Sequence, residues 1–395
     1  MTAEAETRFA EQTWFRMSPG YNSSVRRVVV LASPAMWQTG HGPDHPLKPE
    51  RLRRTYELME EAGLFAAANV RRIEPAPATI AQLTLFHTPE YIEAVQALSA
   101  GETGPGLRPW RFNLGPGDNP VFLGMHELYA LAVGAALRGA DLLLRGECDV
   151  AFSFGGGLHH AWRDHASGFC VYNDAAVAIA WLVQQRQRVA YIDIDVHHGD
   201  GVQYAFDDTD RVLTISFHQD GRTLFPGTGF LEEGGRGAGK GFGVNLPLPP
   251  STDDEAYLWA FDQIVPPLVK RFKPDLVVSQ LGVDTHYLDP LAELSLTTRA
   301  QEALVQRRAR LAPRWLALGG GGYNLDVVPR AWALALAAMA EIQLPAELPP
   351  EFRRRYGGST YLDQAGPEID PNLRQRVRRI VEESVAKLRT LTGVK

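Results

Sequence analysis

Between Asp193 and Asp200 the chain places three carboxylates (Asp193, Asp195, Asp200) and two imidazoles (His197, His198) within eight residues. Carboxylate oxygen and imidazole nitrogen are both good zinc donors, and a catalytic zinc needs three protein ligands plus an open position. Val189, Tyr191, Ile192 and Ile194 form a short apolar run around the start of this stretch, the pattern of a parallel strand covered on both faces. Side chains alternate along a strand, so Asp193, Asp195 and His197 are expected on one face. Gly199 and Gly201 then bracket a tight turn.

Three more stretches pair a predicted strand with reactive side chains. The strand predicted over Asp149–Phe154 leads into Gly155-Gly156-Gly157-Leu158-His159-His160. The strand over Asp275–Leu281 leads into Gly282-Val283-Asp284, a carboxylate that the Asp195/His197 pair still lacks. Trp315–Leu318 leads into four glycines followed by Tyr323 and Asn324. That glycine run lets the backbone pass close to something and aims Tyr323 inward; without a following lysine it is no phosphate cradle.

These residue types suit metal-dependent amide hydrolysis. A metal polarises a carbonyl and lowers the pKa of its water toward about 7. A histidine outside the metal's ligands can move the proton to a leaving amine, with a carboxylate fixing its tautomer. Asp193 and Asp200 are left over for that bracing role. A tyrosine hydroxyl can donate to an oxyanion.

The elements that must position these groups alternate between strand and helix. Arg27–Ala32 reads as the first strand, and Val212–Phe217 as another with Ser216 and His218 at its end. Helices are predicted over Arg51–Ala62, after Thr88-Pro89, over Met125–Leu144, Asp174–Gln184, Val202–Phe206, Asp254–Phe272, Thr297–Leu311 and Val327–Glu341. Such alternation predicts a mainly parallel sheet with helices on both faces and ligands bound beyond the strand carboxyl ends, where all four clusters fall. Met1–Ser24 reads as an irregular arm. Gly101–Pro120, with five glycines and four prolines, reads as a surface loop closed by Asp118-Asn119-Pro120, and Gly234–Gly243 as another loop. His41 and His45 are read as loop histidines and Cys170 as core. The tail is expected to run irregularly from Leu348 to Pro371. A last helix follows, with Leu373, Val377, Ile380, Val381, Val385 and Leu388 as its packed stripe.

Composition excludes several classes. The chain of 395 residues carries 40 basic and 46 acidic residues, net −6, which gives no basic footprint for nucleic acid. Two cysteines imply no disulfide framework and fit a reducing cytoplasm. No signal peptide and no membrane span are expected.

Taken together and in order, the motifs resemble those of the histone deacetylase superfamily, in particular its bacterial class I-like, acetoin-utilisation members. They are His45-Pro46-Leu47-Lys48-Pro49, Phe86-His87-Thr88, Gly156 to Ala161, Ala166 to Cys170, Asp193 to Gly201, Phe225-Pro226-Gly227-Thr228-Gly229 and Leu318 to Asn324. They span about residues 41–332, and the tail from about Leu344 carries none of them. The resemblance implies the arginase/deacetylase α/β fold with an eight-stranded, mainly parallel sheet, and a single deacetylase domain over residues 1–395. It implies that Asp195, His197 and Asp284 ligate zinc or ferrous iron. It pairs His159 with Asp193 and His160 with Asp200, with His160 as general base and acid, His159 acting electrostatically, and Tyr323 polarising the acetyl carbonyl. Phe169 and Phe225 would wall an acyl-lysine tunnel, the Gly168 carbonyl would accept the scissile N–H, and Asp118 would grip the substrate backbone. Arg51 would line an acetate exit. Structural potassium would use Asp193, Asp195 and His197 carbonyls with Ser216, and a second ion the carbonyls of Phe206, Thr209, Val212 and Phe242. Where Leu158 stands, the family often has tryptophan.

The implied substrate is an acetylated protein, such as an acyl-CoA synthetase. Three other readings compete. Acetylpolyamine amidohydrolases share the motifs but carry a longer, more acidic rim insertion than the Gly101–Pro120 loop. An arginase-type enzyme would need further ligands to bridge a second metal. A non-catalytic acyl-lysine scaffold would be expected to have lost a ligand, a histidine or the tyrosine, and all are present here.

Overall fold

The computed structural model describes residues 25–104 and 106–394, so the arm read over Met1–Ser24 lies outside the described residues. Eight parallel strands form one sheet: β1 (Val28–Leu31), β2 (Val70–Ile73), β3 (Val150–Ser153), β4 (Val189–Asp193), β5 (Val212–Gln219), β6 (Gly243–Leu248), β7 (Leu276–Gln280) and β8 (Trp315–Leu318). Their order across the sheet is β2-β1-β3-β8-β7-β4-β5-β6. The eight-stranded parallel sheet expected from the resemblance is present. Every residue of β1, β3, β4, β5, β6, β7 and β8 is buried, as a strand covered on both faces must be.

Helices Met125–Leu144, Asp174–Gln184 and Pro89–Ser99 pack together as one group. Helices Glu50–Glu61, Val328–Ala340, Thr298–Arg308, Asp254–Phe272 and Pro371–Thr392 pack in succession as the other. Thr88 caps Pro89–Ser99 by accepting from the Tyr91 amide at 3.4 Å, as its sequence predicts.

Several expectations are corrected. β2 and β6 were not expected. β2 exposes Arg71 and Arg72, so it has no apolar run to reveal it, and β6 begins at Gly243 inside what reads as a glycine loop. β5 runs on to Gln219, so Ser216 and His218 lie within the strand rather than at its end. A short helix, Pro350–Tyr356, occupies part of the stretch read as irregular, its two prolines serving as the start of the turn rather than as breakers. On the last helix Val377, Val381, Val385 and Leu388 are buried against Asp254–Phe272 and β6, but Ile380 is 46% exposed and falls off the stripe.

The middle four strands, β3, β8, β7 and β4, stand side by side and each supplies one chemical cluster at its carboxyl end. The sheet order, which is not the chain order, is what brings residues 159, 195, 284 and 323 together.

Candidate active site

β4 ends at Asp193, two residues before the first metal-type side chain. Strand alternation therefore does not aim Asp195 and His197. A ladder of carboxylates does: the Asp195 amide donates to Asp193 Oδ1 and the His197 amide to Asp195 Oδ1, each at 3.0 Å. Asp200 opens the helix Asp200–Ala205, where an acid at the positive end is favoured.

Asp195, His197 and Asp284 each offer a donor atom within 4.8 Å of the others, and all three are buried. His197 Nδ1 lies 2.9 Å from Asp195 Oδ1 and 3.2 Å from Asp284 Oδ2. Asp284 Oδ1 accepts the Val196 amide at 2.9 Å, while its Oδ2 is buried with no hydrogen bond among the described residues. Burial, and then the Asp195 charge, push the Asp284 carboxyl up to about 8. Two buried carboxylates and an imidazole this close, with one oxygen unpartnered, form a donor set that fits a divalent cation.

The two histidines of the β3 loop stand beside this set, ring centroids 4.0 Å apart. His159 Nδ1 donates to Asp193 Oδ2 and His160 Nδ1 to Asp200 Oδ1, both at 2.7 Å. His159 Nε2 is 3.8 Å from Asp195 Oδ1. Burial opposes charge on His159, but Asp193 and Asp195 outweigh it and push its pKa up to about 9. Burial and the neighbouring His159 push His160 down to about 4, against the pull of Asp200.

Tyr323 leaves the glycine run half-buried, its ring edge-on to Phe169 at 5.8 Å. Burial, with Asp284 and Asp195 nearby, raises its pKa far above the ordinary phenol value, so it stays protonated. Gly321 is glycine because its amide donates to Asp195 Oδ2 at 2.7 Å and a Cβ there would overlap the Asp284 carboxylate. Phe225 is 44% exposed and sits 5.0 Å from His160 and 6.3 Å from His197. Gly168 has φ +50°, and a Cβ there would strike His160 and Phe225. Asp118 belongs to the exposed loop, and its carbonyl faces His45 Nε2 at 3.2 Å. Arg51 is buried, donates to the Gly320 carbonyl at 2.6 Å, and borders a small cavity with Met36, His41 and Leu158. His41 and His45 lie in the loop before it, their rings stacked at 4.2 Å.

Sequence reasoning missed four residues that hold these groups. Buried Gln280 donates to both Asp195 Oδ2 and the Gly157 carbonyl, and accepts the Gly282 amide at 2.7 Å. Asp174 accepts the Gly157 and Leu158 amides at 2.9 and 2.8 Å, fixing the turn before the histidines. Tyr191 donates to Asp193 Oδ2 at 2.7 Å, and Asp289 Oδ2 accepts the Tyr323 amide at 2.8 Å. A glutamine ending an apolar strand, and an acid at the start of an apolar helix, were the available signals.

Residues 45–339 match the histone deacetylase domain. The chain belongs to the histone deacetylase family. It is 41% identical to the acetoin utilization protein AcuC of Bacillus subtilis over 83% of this chain and 86% of that protein. It is 37% identical to human histone deacetylase 1 over 85% of this chain and 71% of that protein. Among solved structures, a histone deacetylase homolog from Aquifex aeolicus superposes with a TM-score of 0.82 at 30% identity, covering 92% of this chain and all of that one. The fold is thus the arginase/deacetylase fold of that family, and the family's members are deacetylase hydrolases, generally zinc-dependent. No helix among the described residues is long and apolar enough to cross a membrane.

Proposed function

We propose that this chain hydrolyses the acetyl amide of Nε-acetyl-lysine in proteins and releases acetate. The observation that carries this reading is the pair of carboxylate-braced histidines, His159 and His160, set against the Asp195–His197–Asp284 donor set. Those three residues would hold zinc, and an Asp2His set also accepts ferrous iron. Bound there, the ion would act as a Lewis acid toward the acyl carbonyl and would acidify a water.

The chain's own groups do the rest. His160 donates Nδ1–H to Asp200, which leaves Nε2 free to take a proton from water and return it to the leaving amine. With its pKa near 4 it is neutral at pH 7. His159, pushed to about 9, is an imidazolium there and acts by its charge. The protonated Tyr323 hydroxyl donates to the developing oxyanion. Phe169 and Phe225 flank the acyl-lysine stem, the Gly168 carbonyl accepts the scissile N–H, and Asp118 accepts from the substrate backbone.

Exposure of Asp118 on a short rim loop, without an acid-rich insertion, favours a protein substrate over a polyamine. A cytoplasmic metabolic enzyme such as an acyl-CoA synthetase is the target this reading expects. Structural potassium belongs to the same reading, at the Asp193, Asp195 and His197 carbonyls with Ser216, and at the Phe206, Thr209, Val212 and Phe242 carbonyls. All-oxygen donors of this kind suit a hard cation. Potassium missing from the dialysed protein by elemental analysis would remove that part.

The test is parallel hydrolysis of an acetyl-lysine peptide and of acetylated putrescine or spermidine by the zinc-loaded protein, with His160→Ala as the blank. Peptide cleavage well above the blank is expected. Preference for the amine would move the protein to the polyamine branch.

A further inference from the structure

The family-matched region ends at residue 339, yet a carboxylate beyond it is tied to both loops that carry the reactive groups of β7 and β8. Asp363 is 8% exposed and follows the helix Pro350–Tyr356. Toward β7, its Oδ2 accepts from His286 Nε2 at 2.8 Å, from the Thr298 amide at 2.8 Å and from the Thr298 hydroxyl at 3.0 Å. His286 Nδ1 accepts the Leu288 amide at 3.1 Å, so the ring proton sits on Nε2 and points at Asp363. Toward β8, Asp363 Oδ1 accepts from Arg330 at 3.0 Å, and Arg330 Nε donates to the Asp326 carbonyl at 2.9 Å, three residues after Tyr323.

The two loops are braced to each other at their far ends. Asp289 Oδ2 accepts the Tyr323 amide at 2.8 Å, and Asn324 Nδ2 donates to the Leu288 carbonyl at 3.0 Å. The Asp289 amide in turn donates to the His286 carbonyl at 2.8 Å. Hydrogen bonds therefore run from Asp363 through His286 and the 286–289 turn to the Tyr323 amide, and from Asp363 through Arg330 to the Asp326 carbonyl, the two arms being joined by the backbone of residues 323–326 and by the Asp326 amide on Asn324 Oδ1 at 3.0 Å. Glycines 319–322 give the tyrosine no rigidity of their own, since glycine is the least restricted residue. Arg51 holds the Gly320 carbonyl and Asp195 the Gly321 amide, but Tyr323 itself is held at its amide by Asp289, and an error of about 1 Å in a reacting group costs about 10²-fold in rate.

We propose that Asp363 is a positioning residue for Tyr323, so that the C-terminal segment completes the active site. The inference rests on the proposed hydrolysis, in which Tyr323 meets the acyl oxygen. A carboxylate that only staples the tail to the body would lower stability without reaching the tyrosine.

The experiment is a double-mutant cycle of Asp363→Asn and Tyr323→Phe on the full chain, read by steady-state kinetics below the unfolding temperature and by amide hydrogen exchange. With Tyr323 present, Asp363→Asn is expected to lower kcat about tenfold with KM within about twofold. In the Tyr323→Phe background the same change is expected to cost under about twofold, because the hydroxyl it positions is gone. Amide exchange across residues 319–327 is expected to quicken in Asp363→Asn. Equal kcat losses in both backgrounds, or exchange changes confined to residues 344–364, would overturn the inference. Should Asp363→Asn not fold, Thr298→Val removes one donor to the same carboxylate and goes through the same cycle, with a smaller loss expected in the same pattern. A wild-type protein inactive on acetyl-lysine would sink the hydrolysis reading alone, and exchange at 319–327 would still decide the brace.

Discussion

His159 and His160 are sequence neighbours with ring centroids 4.0 Å apart, and the protein drives their proton affinities in opposite directions, to about 9 and about 4. Both donate Nδ1–H to a buried aspartate at 2.7 Å, so the brace is not what separates them. The difference lies on the other side of each ring. His159 Nε2 looks toward Asp195, 3.8 Å away, whereas His160 has the charges of His159 and His197 as neighbours. The opposite directions fit the proposed division of labour, in which His159 acts by its charge and His160 takes and returns the proton.

Replacing His160 with alanine should therefore lower kcat/KM by about 10²–10⁴, the range for a positioned acid–base group. Replacing His159 with glutamine should cost less. Initial rates on an acetyl-lysine peptide at saturating zinc and pH 7–8 measure both. A larger loss at His159 would exchange the two roles.

The sheet, its helices and the four clusters at strand ends were legible because buried parallel strands are apolar runs and their carboxyl ends collect function. β4, β7 and β8 announce themselves in this way. β2 does not, because Arg71 and Arg72 face outward on an edge strand, and β6 does not, because Gly243 and Pro247 break its pattern. Within the site, the side chains proposed to meet substrate or metal were legible by type and motif. The residues that hold them, such as Gln280 and Asp289, were not. Each acts through one or two hydrogen bonds to a partner far along the chain, 85 residues away for Gln280 and Asp195, and sequence spacing carries no trace of that.

Gln280 gives a test of that hidden layer. Its amide donates to the same Asp195 oxygen that receives the Gly321 amide, and so fixes how that carboxylate presents itself. Gln280→Leu should weaken zinc affinity about 10–100-fold, the usual cost of losing a group that orients a ligand. Competition with a chromophoric chelator reads this without any activity assay. Unchanged affinity would mean the Gly321 amide alone sets the Asp195 geometry.

Gly168→Ala probes the proposed substrate wall beside His160. The new methyl would run into the His160 ring and Phe225, and φ +50° is unfavourable for any residue with a Cβ. The loop is partly exposed and can shift, so stability should fall by only about 1–2 kcal/mol. Activity should fall much further, about 10²-fold, because the ring displaced is the one proposed to move the proton. Paired melting curves and kinetics separate the two, and equal activity would show that the loop absorbs the methyl without moving His160.

The Asp363 carboxylate makes a pH-dependent contribution to stability whose sign is fixed by its surroundings. Burial alone would raise its pKa, but the His286 hydrogen bond, the Thr298 amide and Arg330 outweigh this and hold it well below the usual carboxylate range. A group whose pKa is lower folded than unfolded stabilises the protein above the unfolded value, about 3.9, and loses that contribution as pH falls toward the folded value. Asp363→Asn should therefore cost about 3 kcal/mol at pH 7, typical of breaking a buried charged network. That deficit should shrink steadily on acidification below about 4. Denaturant unfolding of both proteins across this range reads the effect, because carboxylates away from Asp363 titrate alike in both and cancel in the difference. A deficit that stayed constant at pH 3 would mean that Asp363 acts by shape and packing, with no part played by its charge.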